Sequence, residues 1–446
     1  MEQSTNRTSD AKVDTEDEVI CGLSPCFGQG SGHSRLVRWI CHPALYLLLL
    51  VVLYAGWIGY VLRNDKPLDF YLYYTAAAGF GQGVDIYSLG ADYTQKDLEW
   101  AQLAHRFGVQ NYAPPYRYPP LTAEIVYPLT LLPPRAAAAV WLFISALAFI
   151  LAAWLLGRSS PLPWGRQVAL LLLLFFVPAL TTLHAGQVNG LLLLCLVWGM
   201  SSLPRSSKSA GAGVGAAVML KTIPAAHLLY LGWRRQTKAF LAGVAVLLIL
   251  IVASIPLVGI DGLVSFCLNL AAIGQPGHFF PVGSNQALSG LIARLLVGGQ
   301  SIPAGSEAGR LFTPIWVVSA VAVTLATIGI CWPSGEFKRL VRLEFSLVTV
   351  AVCLITPYTW YHQLALLFIP LFVLVEEALT TPSRRWMLLP LSVGYVATGI
   401  HGLAWHHLGD NPFLLSMPLL TALMLWILLA WLILRHKLGG DGVGCP

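Results

Sequence analysis

From residue 42 to residue 434 the chain alternates between long apolar runs and short breaks of polar, glycine or proline residues. The first run, HPALYLLLLVVLYAGWIGYVL at 42–62, matches the roughly 20 apolar residues a helix needs to cross a bilayer. Further runs at 118–132, 136–156, 167–183, 187–203, 210–231, 237–258, 311–332, 343–356, 360–379, 385–401 and 412–434 bring the predicted spans to about twelve. Several between 158 and 231 are short or broken by Gly and Pro, which predicts partial or re-entrant helices sheltered by protein or a water-filled cavity. Two long intervals of mixed composition interrupt the series, 63–117 and 259–310; ADYTQKDLEWAQLAHRFG in the first has the amphipathic spacing of a surface helix. The pattern predicts an all-α polytopic membrane protein with its membrane domain at 35–437. A polar, Gly/Ser-rich tail at 1–34 is expected to be disordered, and a short tail follows at 438–446. The halves show no matching broken spans of the kind that mark many secondary transporters.

Composition sharpens this picture. Of 446 residues 56% are hydrophobic and 11% charged, with mean hydropathy +0.68, against roughly 25% charged in a soluble domain. The formal charge of +6 does not point to nucleic acid, because the basic residues cluster between apolar runs as expected of cytoplasmic loops. Arg35 and Arg38 precede the first run, which predicts an uncleaved signal anchor with its N-terminus in the cytoplasm. On that count Arg234, Arg235, Lys238, Lys338, Arg339, Arg342, Arg384, Arg385, Arg435 and Lys437 fall on the cytoplasmic side, whereas Arg158, Arg166, Arg205 and Lys208 fall outside. Four stretches face outward together: 63–117, 259–310, 356–362 and 401–412. Eight cysteines are scattered without a CxxC pair, and Cys21, Cys26, His33, Cys41 and His42 are too irregularly spaced for a metal cluster. Walker A, GxGxxG, HExxH and GxSxG motifs are absent.

The remaining charges and amides are candidates for chemistry. Asp69, in LDFYLYY, follows the first span among aromatic residues that suit a membrane interface. It reads both as the N-cap of a helix FYLYYTAAAGF and as a general base made receptive by partial desolvation. Asp85 reads as a turn residue beside Gly81 and Gly83. Tyr118-Pro119-Pro120 fixes the entry to the next run, and Arg117 before it either snorkels or meets a phosphate. In LHAGQVNG, His184, Gln187 and Asn189 either cap two helices or form a polar wall for a hydroxyl-rich ligand. Lys221 is flanked by apolar residues; a lysine at mid-membrane costs about 2.5–3.5 kcal/mol and asks for an anionic partner, while Pro224 would break the helix beside it. Asn285, Gln286 and Arg294 lie on a short helix that either stabilises its loop or contacts ligand. His362, after Pro357, is either solvated or a donor to a leaving phosphate, and His401, His406, His407 and Asp410 read as loop residues.

In this order the blocks LDFYLYYTAAAGFGQGVDIYS, YRYPPLTAEIVYPLTLLP, GQVNGLLLL, LKTIPAAHLLYLGWRR, SNQALSGLIARLL and TPYTWYHQLALLFIP, between residues 68 and 370, resemble the polyprenyl-phosphate-mannose-dependent mannosyltransferases of glycosyltransferase family 87. The resemblance implies the GT-C membrane fold and an extracytoplasmic active site in the cell membrane. It implies Asp69 as base, a lipid phosphate held by Lys221 and His362 with Arg117 as a further candidate, and sugar or acceptor contacts from Tyr118, Gln187, Asn189, Asn285 and Gln286. The implied reaction is inverting transfer of a sugar, mannose by the family's name, from a polyprenyl-phosphate donor to a hydroxyl of a glycolipid or glycan acceptor, without metal or cofactor. Two readings compete with it. A transporter or flippase of lipid-linked sugars should carry repeats or several midplane charges, where this chain has mainly Lys221 and Glu124. A lipid-diphosphate-dependent glycan polymerase or ligase should carry more arginine at its site.

Overall fold

The computed structural model describes residues 42–64, 67–90, 95–110, 116–273, 282–298, 306–333 and 337–439. The irregular Cys/His group lies outside them, apart from His42. Regular structure among the described residues is helical, save one isolated bridge between Asn285 and Trp360. In chain order the α-helices are α1 (Pro43–Arg63), α2 (Leu68–Phe80), α3 (Gln95–Arg106), α4 (Pro120–Val126), α5 (Pro134–Arg158), α6 (Gly165–Leu174), α7 (Val177–Ala185), α8 (Asn189–Ser202) and α9 (Ser207–Leu220). They continue as α10 (Ala225–Trp233), α11 (Thr237–Ile273), α12 (Leu288–Val297), α13 (Glu307–Ile330), α14 (Phe337–Ile355), α15 (Phe368–Thr380), α16 (Leu388–Ala404) and α17 (Met417–Lys437). Seven stretches are long and apolar enough to cross a membrane: Pro43–Arg63, Pro134–Arg158, Thr237–Leu270, Glu307–Ile330, Tyr361–Thr380, Pro382–His407 and Leu414–Lys437. The α6–α7 pair, bent by 57°, is an eighth if taken as one broken span. The chain is a multi-pass membrane protein.

Four predicted spans take other forms; one of them, 343–356, lies in α14, whose sequence includes Lys338, Arg339, Arg342 and Glu344 and which is not among the seven. The run 118–132 becomes the seven-residue α4 and a 3-10 turn, Tyr127–Leu131. Prolines at 119, 120, 128, 133 and 134 remove the donors a through-going helix needs, and the Tyr74 hydroxyl donates to the Leu132 carbonyl at 2.8 Å, tying the turn to α2. The run 187–203 becomes α8, only 14 residues long. The run 210–231 becomes two antiparallel helices. Gly211 and Gly215 of α9 lie against Ala239 and Gly243 of α11, so these two helices rise together; Leu228 and Gly232 of α10 lie against Gly243 and Phe240, so α10 runs back down. The pair α9–α10 is therefore a re-entrant hairpin whose turn contains Lys221 and Pro224. The freed Leu220 carbonyl at its tip accepts the Thr122 hydroxyl at 2.9 Å, as a buried helix end requires.

Ion pairs gather at one end of the bundle. Arg234 meets Glu344 at 2.9 Å, Lys437 meets Glu344 at 3.3 Å, Arg342 meets Glu376 at 2.8 Å, and Arg384 pairs with Glu377. Arg342 also donates to the Ser159 hydroxyl at 2.9 Å, which brings the C-terminus of α5 to that end. Gly165 opposes Gly157, so the start of α6 lies there too. Arg158, Arg166, Arg205 and Lys208, expected on the side of the large loops, are thus at the same end as Arg342. Because 118–132 does not cross, the segments from 133 to 208 change side; the α9–α10 hairpin, which does not cross either, restores the expected side from Arg234 onward.

The other end holds the loops. Ser265 donates to Asp85 at 3.0 Å, joining 259–310 to 63–117, and Asp85 accepts from the Tyr87 and Ser88 amides as its turn reading expects. α3 forms over the amphipathic stretch and buries Trp100. The α9–α11 seam is tight enough to test: a side chain at Gly215 would strike the Gly243 carbonyl. Gly215→Val is expected to destabilise by about 1–3 kcal/mol, read as a lower unfolding temperature in detergent; an unchanged temperature would contradict this packing.

Candidate active site

The site begins with a close approach of backbones. Gly186 ends α7 at φ 73°, and its carbonyl accepts the Trp141 indole at 2.7 Å. A Cβ there would lie 2.7 Å from Phe70 Cβ and 3.1 Å from Pro67 Cβ, so conformation and space both require glycine. The first turn of α2 can therefore rest on the α7–α8 turn, setting Asp69 against Gln187.

Asp69 is not an N-cap. Pro67 holds that position without a side-chain cap, and Asp69 sits in the first turn of α2, half-buried. Its carboxylate is hydrogen-bonded by the Gln187 side chain. Gln187, 2% exposed, accepts from the Tyr73 hydroxyl at 2.9 Å and donates to the Tyr118 hydroxyl at 2.8 Å. The tyrosines of α2 are core residues rather than interfacial anchors: Tyr71, Tyr73 and Tyr74 are all buried.

Lys221 lies across Tyr118 from this group. It leaves the end of α9 with extended backbone, φ −158° and ψ 138°. Its Nζ is 5.5 Å from the centre of the Tyr118 ring, a cation–π contact, and donates to Asn189 Oδ1 at 3.3 Å. Asn189 is fully buried and donates through Nδ2 to the His362 carbonyl at 3.0 Å, and the Thr182 hydroxyl lies 2.9 Å from that same carbonyl. The backbone of His362 is thus fixed, while its buried Nε2 has no hydrogen-bond partner among the described residues. Asp69 and Lys221 do not close an ion pair with each other. Burial pushes the Asp69 carboxyl up to about 6, opposed by the hydrogen bond from Gln187 and by the charge of Lys221. Burial also pushes the Tyr118 phenol up, the Asp69 charge adding to it.

Six expected residues therefore converge: Asp69, Tyr118, Gln187, Asn189, Lys221 and His362. Arg117 is half-buried, immediately before Tyr118 in the chain. Asn285 and Gln286 are fully buried and spent on the fold. Asn285 Oδ1 accepts from the amides of Ala287 and Thr359, both at 3.2 Å, while Gln286 donates to the Leu415 carbonyl at 2.8 Å and accepts from the Leu419 amide at 3.2 Å. They pin the segment that leads into His362. His401 also differs from expectation: it is buried on α16 beside Gln286, and Tyr361 stacks on it. Tyr73 and Thr182 were not anticipated. For Tyr73 the signal was present, since Asp69 and Tyr73 are four residues apart and share one helix face; for Thr182 there was none.

Chemically, a carboxylate able to take a proton lies opposite an ammonium and an open imidazole nitrogen. α8 starts at Asn189 and α10 opens four residues after Lys221, so helix N-termini add positive potential near the cations. That half of the site suits an anion.

The sequence profile of glycosyltransferase family 87 matches residues 116–357, more than half of the chain, and the chain belongs to that family. It is a membrane glycosyltransferase, which sets aside the transporter reading. It is 27% identical over 373 residues to a polyprenol-phosphate-mannose-dependent alpha-(1-2)-phosphatidylinositol pentamannoside mannosyltransferase of Mycobacterium tuberculosis (strain CDC 1551 / Oshkosh), covering 80% of this chain and 78% of that one. A polyprenol-phosphate-mannose-dependent alpha-(1-2)-phosphatidylinositol mannoside mannosyltransferase of Mycolicibacterium smegmatis (strain ATCC 700084 / mc(2)155) is 24% identical over 405 residues, 84% of this chain and 82% of its own. An alpha-(1->3)-arabinofuranosyltransferase of Mycobacterium tuberculosis (strain CDC 1551 / Oshkosh) is 29% identical over 250 residues, 54% of this chain and 52% of its own.

The raised Asp69 pKa has a signed consequence. Its ionised form is lost as pH falls through about 6, so transfer should show an acidic limb there, moved upward in Gln187→Leu, which removes a stabilising donor. A limb near the ordinary 3.8 would contradict the buried environment. By linkage, the stability this group contributes is fully present below 3.8 and lost as pH rises through about 6.

Proposed function

We propose that the protein transfers mannose from a polyprenyl-phosphate donor to a hydroxyl of a glycolipid or glycan acceptor, by direct displacement with inversion, on the extracytoplasmic face of the cell membrane. The observation that carries this reading is the convergence of Asp69 with Lys221 and the open Nε2 of His362 around the amides of Gln187 and Asn189. Asp69 takes the proton of the acceptor hydroxyl. The hydroxyl oxygen bonds to the anomeric carbon as the bond from that carbon to the phosphate oxygen breaks, and the electron pair leaves with the lipid phosphate. Lys221 and His362 stabilise the charge that collects there, with Arg117 as an additional cation and the helix N-termini in support. Tyr118, Gln187 and Asn189 orient hydroxyls and charges; Asn285 and Gln286 act through the segment that holds His362.

The names of the relatives that cover most of this chain support mannose and a lipid-monophosphate donor. A monophosphate leaving group needs charge stabilisation without the metal that bridges a nucleotide diphosphate, so chelation is expected to leave transfer intact. The bundle of long spans, bent α6–α7 and re-entrant α9–α10 supports a GT-C-type membrane domain over 35–437, with the loops 63–117 and 259–310 on the side of the site. The gathering of basic residues at the far end supports an extracytoplasmic site under the positive-inside rule.

The test uses membranes carrying each variant and a labelled polyprenyl-phosphate mannose. Asp69→Asn should lower transfer by roughly 10²–10⁴-fold, and Lys221→Met should weaken donor use as well as turnover. Undiminished transfer by Asp69→Asn would remove it as the base.

A further inference from the structure

The transfer site leaves one concave polar cluster unused, at the opposite end of the bundle. A cavity of about 240 Å³ lies between the C-terminus of α5 and the α8–α9 turn, lined by Arg158, Ser159, Ser201, Ser202, Arg205 and Ser206. It has no carboxylate in its wall. Several other cations of this end are compensated, Arg234, Arg342, Arg384 and Lys437 by glutamates, Arg166 by the Trp154 ring and Arg435 by the Trp431 ring, while Lys208, Arg235, Lys238 and Arg385 are exposed like Arg158 and Arg205 but do not line this cavity. Arg158 and Arg205 have no hydrogen bond, ion pair or ring contact among the described residues, although both face one cavity.

The rest of the wall favours an anion with several acceptor oxygens. Ser159 is fixed in place, donating to the Leu156 carbonyl at 2.9 Å and accepting from Arg342 at 2.9 Å. Ser206 caps α9 by accepting from the Ser209 amide at 3.4 Å, and Ser202 accepts from the Ser209 hydroxyl at 3.4 Å; each keeps its own hydroxyl hydrogen to donate. The first amides of α9, a 14-residue helix, open beside Arg205. Two guanidinium forks, serine hydroxyls and a helix N-terminus are the donors that recognise phosphate. α8 rises about 21 Å over its 14 residues between this cavity and Asn189, so a ligand here is not the donor at the transfer site.

We infer that this cavity is a phosphate site, taking either the headgroup phosphate of an anionic membrane lipid or a soluble phosphate ester. It lies where α5, long and apolar enough to cross a membrane, ends in Arg158, and a bound phosphate would fasten the bases of α8 and α9 to α5. Those two helices carry Asn189 and Lys221 at their far ends.

The experiment uses the full-length protein, delipidated in detergent and then exposed either to phosphatidylglycerol in phosphatidylcholine vesicles or to inorganic phosphate. Retained lipid is counted by native mass spectrometry, and phosphate binding is read from the rise in unfolding temperature. Wild type should retain one phosphatidylglycerol, with Arg158→Gln and Arg205→Gln each weakening retention roughly tenfold. The charge-preserving pair Arg158→Lys and Arg205→Lys should be intermediate, and Arg310→Gln, at the loop end, unaffected. A phosphate-dependent rise lost in the same variants, without lipid retention, would support the site with a soluble ester as its ligand. Equal lipid retention and equal temperature rise in wild type and the Arg158/Arg205 variants, or an equal loss in Arg310→Gln, would overturn the proposal.

Discussion

Asp69 and Lys221 are opposite charges drawn out of bulk water into one cluster without being allowed to neutralise each other. An ion pair between them would be the cheapest arrangement electrostatically, and it would leave neither group available to a substrate. The fold prevents it by giving each charge a neutral partner: the Gln187 amide for the carboxylate, the Asn189 amide and the Tyr118 ring for the ammonium. Tyr118 stands between the two halves, bonded to Gln187 through its hydroxyl and facing Lys221 with its ring. The separated charges are what make the site chemically asymmetric, basic on one side and anion-seeking on the other.

Much of the surrounding architecture serves that separation. Gly186 admits α2 so closely that Asp69 meets Gln187, and Trp141 locks the turn. The re-entrant α9–α10 hairpin carries Lys221 up to Asn189, and Thr122 satisfies the carbonyl that the break exposes. Asn285 and Gln286 knit the second loop to Thr359 and to the turn before α17, which fixes the approach of His362. The far end is built on the opposite principle, with carboxylates and cations paired directly around Glu344, Glu376 and Glu377. Direct pairing holds helices together, whereas separated charges stay available to a ligand.

The sequence made the helical membrane class plain, because apolar length is a property of the chain alone. Lys221 was legible for a similar reason: a lysine amid apolar residues must have a purpose or a partner. Asp69 was half legible, since helix start and base look alike until Pro67 is seen to take the N-cap position. The roles of Asn285 and Gln286 were not legible, because an amide that binds ligand and one that binds distant backbone have the same letters. The topology differed at 118–132 and again at 210–231. The apolar run 118–132 resembles a span by composition, yet its prolines keep it beside α2; the segments up to Lys208 change side with it, until the α9–α10 hairpin, which turns back at Lys221, restores the expected order. Tertiary packing decided it, which no local window records.

The proposed displacement requires one carboxylate and one anion site to face each other across the reacting carbon. A cryo-EM structure of the Asp69→Asn protein bound to a polyprenyl-phosphate mannose donor would reveal whether they do. The phosphate is expected beside Lys221 and His362 Nε2, with the anomeric carbon lying between it and residue 69. A donor phosphate bound away from Lys221, or a sugar turned so that residue 69 cannot reach the far face of the anomeric carbon, would contradict that displacement.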